Sequence, residues 1–369
     1  MRAPCILFLI LSFINCPAQR RAVQRNFPDN QYVLVVHGGA GTILKSQMTP
    51  EKEEAYQSAL NKALKAGSEI LASGGSAVDA VEATVRVLED NPLFNAGKGA
   101  VFTNDGRNEL DAAIMDGRTL AAGAVAGVTR IRNPISTARR VMDDSKFVML
   151  TGKGAEDFAL EQEQELVDPS YFYTEARWQG LLKARAEDSL FVIRLLADSI
   201  RIADSVTIAD SIEPARTYGN PLLKQPLNRD NKYGTVGAVA LDKHGNLAAA
   251  TSTGGMTNKK YGRVGDAPVI GAGTYANNKT VAISCTGWGE FYIRLVMAKT
   301  ISDMMEYGKM DLVTACKEMV MKKLPELGGD GGLIAVDRSG NITMPFCTEG
   351  MYRGYKKEGS KEVVEIYKK

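Results

Sequence analysis

The pattern of this chain breaks once, and where it resumes limits what it can fold into. From Gly152 to about Asp230 no apolar period of 2 or 3.6 is sustained. Within that stretch ADSIRIADSVTIADSI (197–212) repeats Ala-Asp-Ser every six residues, which reads as a solvated, partly helical linker. At Gly234 the character changes. GTVGAVAL (234–241) begins on a glycine–threonine pair and continues as a buried-looking strand.

Both flanks of the break are well patterned. QYVLVVHGGAGTI (31–43) is a strand running into a glycine-rich loop. Thr49 as cap, Pro50 at the first helical position and a Gly74-Gly75 stop bound a helix, and Ser76 with Asp79 opens another over AVDAVEATVRVLED. Residues 91–117 are loop-rich, then strand-like, and LAAGAVAGVTRI (120–131) is a small-residue strand suited to close packing between layers. Beyond the break, AVALDKHGNLAAAT (238–251) and LIAVDRSGNITMPF (333–346) share an Asp-basic-x-Gly-Asn centre and read as hairpins. Between them GEFYIRLVMAKTISDMMEYG and DLVTACKEMVMKKLPELG read as amphipathic helices. The order implies layered α+β structure without the strict alternation of a doubly wound fold.

Composition narrows the chemistry. The chain has 369 residues and a net charge of +2, from 45 basic and 43 acidic side chains, which gives no electrostatic footprint for nucleic acid. MRAPCILFLILSFINCPAQRR has a positive start, a short apolar run and a small-residue cleavage site, so residues 1–18 are expected to be a signal peptide. The expected address is periplasmic or secreted; lipid attachment at Cys16 would follow the poor approach Phe13-Ile14-Asn15. Past residue 18 only Cys285, Cys316 and Cys347 remain, an odd count without disulfide or zinc spacing. Two histidines, His37 and His244, do not supply a triad base or a histidine-rich metal site. HGGAGT lacks the G-x-G-x-x-G spacing and TGKGAED lacks the hydroxyl after its lysine, so neither reads as a nucleotide loop.

The segment from Thr235 to Glu290 is dense in hydroxyls and glycines, with one arginine and one aspartate at likely turns of TSTGGMTNKKYGRVGDAPVIGAG and SCTGWGE. A threonine can act as nucleophile without a side-chain base if it is itself an N-terminus and its α-amine takes the proton. Such an amine has a pKa of about 7.7–8.0, close enough to neutrality to serve. The Gly234–Thr235 bond would then be a cut site.

At this point the chain resembles the plant-type L-asparaginase and isoaspartyl peptidase (β-aspartyl peptidase) family of N-terminal-nucleophile hydrolases. The resemblance rests on HGGAG, NPLFNAGKGAVFT, ELDAAIMDG, AGAVAGV, GTVGAVALD, TSTGGMTNK, GRVGD, CTGWGE and GDGGLIAVD, in that order between His37 and about Tyr352. It implies a four-layer αββα sandwich, cleaved between Gly234 and Thr235 into an α chain (19–234, with a variable linker from about 155 to 233) and a β chain (235–369) that starts on the nucleophile. It also implies that Thr253 orients Thr235 and that Thr286 and Gly287 form an oxyanion hole. Arg263 and Asp266 would clamp the α-carboxylate and α-ammonium of a small-molecule or dipeptide substrate, aided by Gly289, with Asn95 near the nucleophile. Main-chain carbonyls of Leu88, Glu89, Asn91, Phe94, Ala96 and Lys98 would hold a structural sodium ion. No organic cofactor is implied, and the two chains of one precursor would pair again as a dimer of heterodimers.

Taken singly these residues have ordinary explanations: a surface ion pair for Arg263 and Asp266, strand threonines for Thr253 and Thr286, turns for Gly254 and Gly255. Tyr233 stands where the family often has an acidic residue or histidine, and Trp288 is bulky where a small residue is frequent. Two rivals remain beside hydrolysis of L-asparagine and β-aspartyl dipeptides. A glycosylasparaginase-like amidase is disfavoured by Gly234 and Gly254, and an unprocessed amino-acid-binding homologue would keep the clamp without the chemistry.

Overall fold

Strand β1 (Val33–Gly41) is buried along its whole length, and its side chains divide by parity. Leu34 and Val36 enter one hydrophobic core, Val33 and Val35 a second. A strand apolar on both faces is stable only between other layers. The computed structural model describes residues 31–205 and 234–368, a mixed α+β fold with two sheets. The signal-peptide reading of residues 1–18, Tyr233 and the later part of the six-residue repeat lie outside the described residues.

In chain order, β1 is followed by α1 (Pro50–Ala72), α2 (Ala77–Glu89), β2 (Leu110–Asp116), β3 (Ala122–Val128), α3 (Pro134–Asp144), β4 (Met149–Thr151), α4 (Gly152–Glu161) and α5 (Glu175–Ser205). After the undescribed stretch come β5 (Val236–Leu241), β6 (Leu247–Thr253), β7 (Thr274–Ala276), β8 (Val281–Gly287), α6 (Gly289–Leu295), α7 (Met297–Glu306), α8 (Leu312–Glu318), β9 (Gly331–Asp337), β10 (Ile342–Thr343), β11 (Gly350–Lys357) and β12 (Val363–Tyr367). The larger sheet runs β12-β11-β1-β5-β6-β2-β3-β4 and the smaller β10-β9-β8-β7. Helices α1, α2 and α3 pack on the larger sheet over the first core. The second core takes the opposite parity of β1, β5 and β6 together with β8, β9, α7 and α8.

The caps behave as their residue types require. Thr49 Oγ1 accepts from Lys52 N at 3.3 Å and Ser76 Oγ from Asp79 N at 3.1 Å. Both Gly-Asn turns are built on an aspartate: Asp242 accepts from His244 and Asn246 backbone N–H groups, and Asp337 from Ser339 and Asn341.

Four local features differ from the pattern reading. The glycines of HGGAG continue β1 instead of leaving it, with a bulge between His37 and Gly39. The weakly patterned stretch after Gly152 contains α4 and α5. At the start of α5 the anchoring groups are amphipathic: Arg177 donates to Gly99 O at 2.8 Å and Leu93 O at 3.2 Å, and Trp178 stacks edgewise on Phe102. No apolar stripe announces a helix held that way. The third difference is a break between α6 and α7 at Val296, which has φ 44° and ψ 49°. Ala298 N and Lys299 N there donate to Ala272 O and Gly271 O, so a loop replaces one helical turn as acceptor. Last, α8 passes into a π turn over Met319–Lys323.

The two sheets are also joined by polar groups. His37 Nε2 meets Ser284 Oγ at 2.9 Å, Ser284 meets Thr251 Oγ1 at 2.7 Å, and Thr274 Oγ1 meets Thr251 Oγ1 at 2.6 Å and donates to Ala267 O at 3.0 Å. Burial holds His37 near a pKa of about 3, so the imidazole is neutral and the chain of bonds carries no net charge. Replacing Ser284 by Ala removes a partner from both His37 and Thr251. The expected loss is about 1–3 kcal/mol of unfolding free energy, read by urea denaturation; an unchanged midpoint would mean that the chain of hydroxyls does not fasten the sheets.

Candidate active site

Thr235 immediately precedes β5, which lies between β1 and β6 in the larger sheet. Its backbone N–H donates to Thr286 Oγ1 at 3.2 Å, at the end of β8. Its hydroxyl donates to Thr253 Oγ1 at 3.2 Å, at the end of β6. Thr253 Oγ1 also accepts from Gly255 N at 2.9 Å, and Thr286 Oγ1 also accepts from Ala40 N at 3.2 Å. Three threonines from three strand ends therefore share one buried locus, and Thr235 itself is 7% exposed. The pattern reading missed the residue on the other side. A Cβ placed on Gly234 would overlap the Gly39 backbone, and one on Gly39, at φ +113°, would strike Gly234. The glycine pair after His37 is thus a contact surface for Gly234.

Beside this locus is a cavity of about 260 Å³, with Thr235, Thr253, Arg263, Asp266, Gly287 and Trp288 among the residues that line it. Arg263 and Asp266 lie on the loop between β6 and β7 and both reach it. Arg263 is not bonded to Asp266; its Nε and Nη2 each donate at 2.9 Å to the two oxygens of Glu290. Glu290, two residues beyond the expected Trp288 neighbour of the oxyanion glycine, was not foreseen as a partner. Asp266 is fully buried, and its Oδ2 has no hydrogen-bond partner. Burial raises its pKa to about 7, against the opposing pull of Arg263. A Cβ on Gly289 would sit 2.8 Å from both Arg263 Nη2 and Asp266 Oδ1, so only glycine leaves that space open. Gly287 is equally constrained, since a Cβ there would overlap Asp330 O.

Behind the cavity Lys259 is buried, its ammonium donating to Glu109 O at 3.0 Å and lying 3.9 Å from Glu109 Oε2 and 4.0 Å from Asp111 Oδ2. Asp111 is the cross-strand neighbour of Thr253. Lys259 therefore compensates buried acids at the start of β2, beside the strand that ends in Thr253, a role that TSTGGMTNK does not disclose. Asn95 does not line this cavity. It ties the loop after α2 to the strand end, with Nδ2 donating to Gly255 O at 2.7 Å, Oδ1 accepting from Val101 N at 3.0 Å and its carbonyl accepting from Gly254 N.

The carbonyls of the Leu88–Lys98 loop turn toward two glycines. A Cβ on Gly97 would overlap Glu89 O, and one on Gly99 would overlap Phe94 O and lie 2.6 Å from Pro92 O. These are close backbone contacts that only glycine permits, and the Leu88, Asn91 and Ala96 carbonyls accept from the Asn91, Phe94 and Gly99 N–H groups within the loop. The Glu89 carboxyl is occupied elsewhere, by Ser252 Oγ at 2.6 Å, Ile135 N at 3.1 Å and Asn133 Nδ2 at 3.2 Å, and burial raises its pKa to about 8. Among the described residues no group of three His, Cys, Asp or Glu side chains is placed to hold a metal ion.

A buried hydroxyl thus faces, across a small cavity, a carboxyl with one unpartnered oxygen and an arginine paired with Glu290. A family model described as asparaginase matches residues 30–366. The chain is 49% identical to isoaspartyl peptidase of Salmonella typhimurium over 339 residues, 92% of this chain and 99% of that one. It is 49% identical to isoaspartyl peptidase of Escherichia coli K12 over 336 residues, 91% and 96% of the two chains. It is 42% identical to plant-type L-asparaginase of Pyrococcus furiosus over 330 residues, 89% and 97%. The chain belongs to the asparaginase family, and is a hydrolase of a family with small-molecule substrates.

One expectation is corrected here. The signal peptide and periplasmic address read from residues 1–18 conflict with the two enterobacterial relatives. Those relatives are matched over 99% and 96% of their own lengths, and the family model begins only at residue 30, so the leader-like stretch is no part of what is shared. An apolar run with a basic start satisfied the pattern, but it lies before the residues that the family model matches. Among the described residues no helix is long and apolar enough to cross a membrane.

The Asp266 carboxyl sets a pH dependence for any ligand that presents an ammonium to it. With its pKa at about 7 in the free site, affinity for L-aspartate should rise as pH increases through that value. Below it, affinity should fall roughly tenfold per pH unit. Calorimetric titration over about pH 5.5–8.5 with the protein and Asp266→Asn checks this; a flat profile in the unmodified protein would remove Asp266 from the site.

Proposed function

We propose that the chain is an autoprocessing threonine hydrolase that releases L-aspartate from L-asparagine and from β-aspartyl dipeptides. The observation that carries this is the placement of Thr235, with its nitrogen on Thr286 and its hydroxyl on Thr253, at the wall of a cavity that also holds Arg263 and Asp266. The names of the relatives, isoaspartyl peptidase and plant-type L-asparaginase, support the substrate class.

In the precursor the Thr235 hydroxyl attacks the Gly234 carbonyl carbon. The Gly234–Thr235 amide becomes an ester as the nitrogen takes a proton, and water then frees Gly234 as a carboxylate. Thr235 is left with an α-amine of pKa about 7.7–8.0, which accepts the hydroxyl proton at neutral pH. The hydroxyl then attacks the side-chain carbonyl carbon of the substrate, whose α-carboxylate meets the side of the Arg263 guanidinium not engaged by Glu290 and whose α-ammonium meets Asp266. Thr286 and the Gly287 N–H supply donors for the oxyanion, and Thr253 keeps the nucleophile's rotamer. Loss of one such donor costs about 3–4 kcal/mol of transition-state stabilisation. The amine or ammonia leaves with the proton returned from the Thr235 ammonium, and water cleaves the β-aspartyl ester. The whole is an αββα sandwich of four layers, and two processed copies are expected to pair. The Leu88–Lys98 carbonyls would hold sodium, which pins the loop that Asn95 ties to Gly255.

Intact mass under denaturing conditions tests the central step. Two fragments meeting at Gly234/Thr235 are expected, with a single chain in Thr235→Ala. One uncut chain in both, with no aspartate released from asparagine, would reject the reading in favour of an amino-acid-binding protein. Exchanging sodium for choline in the buffer should lower the thermal midpoint; equal midpoints would reject the ion.

A further inference from the structure

Gly234 is shared by two cavities. The first holds Thr235, Arg263 and Asp266; the second, of about 560 Å³, lies beyond Gly234 and has in common with the first only Ala40, Gly41, Thr42 and Gly234. The charged side chains that line this second cavity, among the described residues, are Lys52 of α1 with Arg177 and Lys183 of α5, and no carboxylate joins them. Arg177 is fixed in place by its bonds to Gly99 O and Leu93 O. Lys183 has Glu187 one turn further along α5 at 3.9 Å, outside the lining.

Elementary stereochemistry connects the two spaces. The carbon attacked by Thr235 has four directions to fill. The nucleophile takes one, the oxyanion near Gly287 another, and the aspartyl part held by Arg263 and Asp266 a third. The leaving amine takes the fourth, and the space that adjoins the first cavity at Gly234, next to Thr235, is the second cavity. We infer that the second cavity receives the leaving group and favours one with a free carboxylate, the α-carboxylate of the amino acid that follows a β-aspartyl linkage. This rests on the reading of Thr235 as nucleophile. The bond broken is the β-amide C–N; the amino acid departs as a neutral amine with the proton from Thr235, and its carboxylate faces Lys52, Arg177 and Lys183. Ammonia leaving from asparagine gains nothing from these cations, so the second cavity would distinguish an isoaspartyl peptidase from a simple asparaginase within one active site.

The processed enzyme is assayed at low ionic strength with β-aspartyl-leucine, with β-aspartyl-leucine amide, and with asparagine as reference in the same preparation. The free acid should exceed the amide in kcat/KM by roughly three- to tenfold, the scale of two or three partly solvated ion contacts. That ratio should shrink toward one in the double variant Lys52→Met/Lys183→Met, and also on adding salt. Equal rates for acid and amide in the unmodified enzyme, with asparagine still hydrolysed, would overturn the inference alone. A ratio above one that neither the double variant nor salt reduces would also overturn it, by placing the selectivity elsewhere. Failure to hydrolyse all three substrates would instead strike the nucleophile reading on which it stands.

Discussion

Everything at the site depends on the position of β5 inside the larger sheet. Its residues pair with β1 on one side and β6 on the other, so the residue just before it cannot drift. Thr235 inherits that rigidity from the backbone ladder and not from its own side chain. Thr253 and Thr286 are likewise last or nearly last residues of their strands. Three hydroxyls are thereby set by strand register, which is a more exact device than three residues on loops. The chain of bonds from His37 to Thr274 lies along the same seam and keeps the two sheets in phase.

Charge is arranged around this rigid point with little help from solvent. Arg263 is doubly bonded to Glu290, Lys259 neutralises Glu109 and Asp111, and Asp266 is left with one oxygen unpartnered. An unsatisfied buried carboxyl oxygen is costly unless a ligand completes it. Glycines at 255, 265, 287 and 289 keep backbone thin where these groups crowd. Side chains at 255, 265 and 289 would meet Arg263, Asp266 or Lys259, and one at 287 would meet Asp330 and Tyr292.

Much of this was legible in the residues. Caps at Thr49 and Ser76, the two Gly-Asn hairpins and the strand after Gly234 follow from local chemistry, because each is decided within a few residues. Thr235, Thr253, Arg263, Asp266 and Gly287 line one cavity, whereas Asn95 ties the loop after α2 to Gly255 outside it. What escaped was non-local. The continuation of β1 through HGGAG depends on β11, far away in sequence, where Gly39, Ala40 and Gly41 oppose Tyr352, Met351 and Gly350. The bidentate Arg263–Glu290 pair and the buried Lys259 are partnerships that charge spacing does not display. Val296 breaks a well-patterned helix because Gly271 and Ala272 offer acceptors there, and α5 is anchored through arginine and tryptophan, which carry no helical stripe. The leader-like residues 1–18 show the opposite failure, a persuasive local pattern with no support among the relatives.

The strand order has one further consequence. Reading across the larger sheet, β12 and β11 come from the part of the chain after Gly234, β1 from before it, β5 and β6 from after, and β2, β3 and β4 from before. The two parts are shuffled like cards instead of lying side by side. Neither part alone contains a closed set of neighbours, so each would present bare ladder edges if made separately. A nick at Gly234 would remove a covalent bond yet leave every strand pair in place, and the interleaved ladder would take over as the tether. A chain terminus, which ordinarily belongs to the frayed surface of a protein, would here be an interior part with the positional precision of a core side chain.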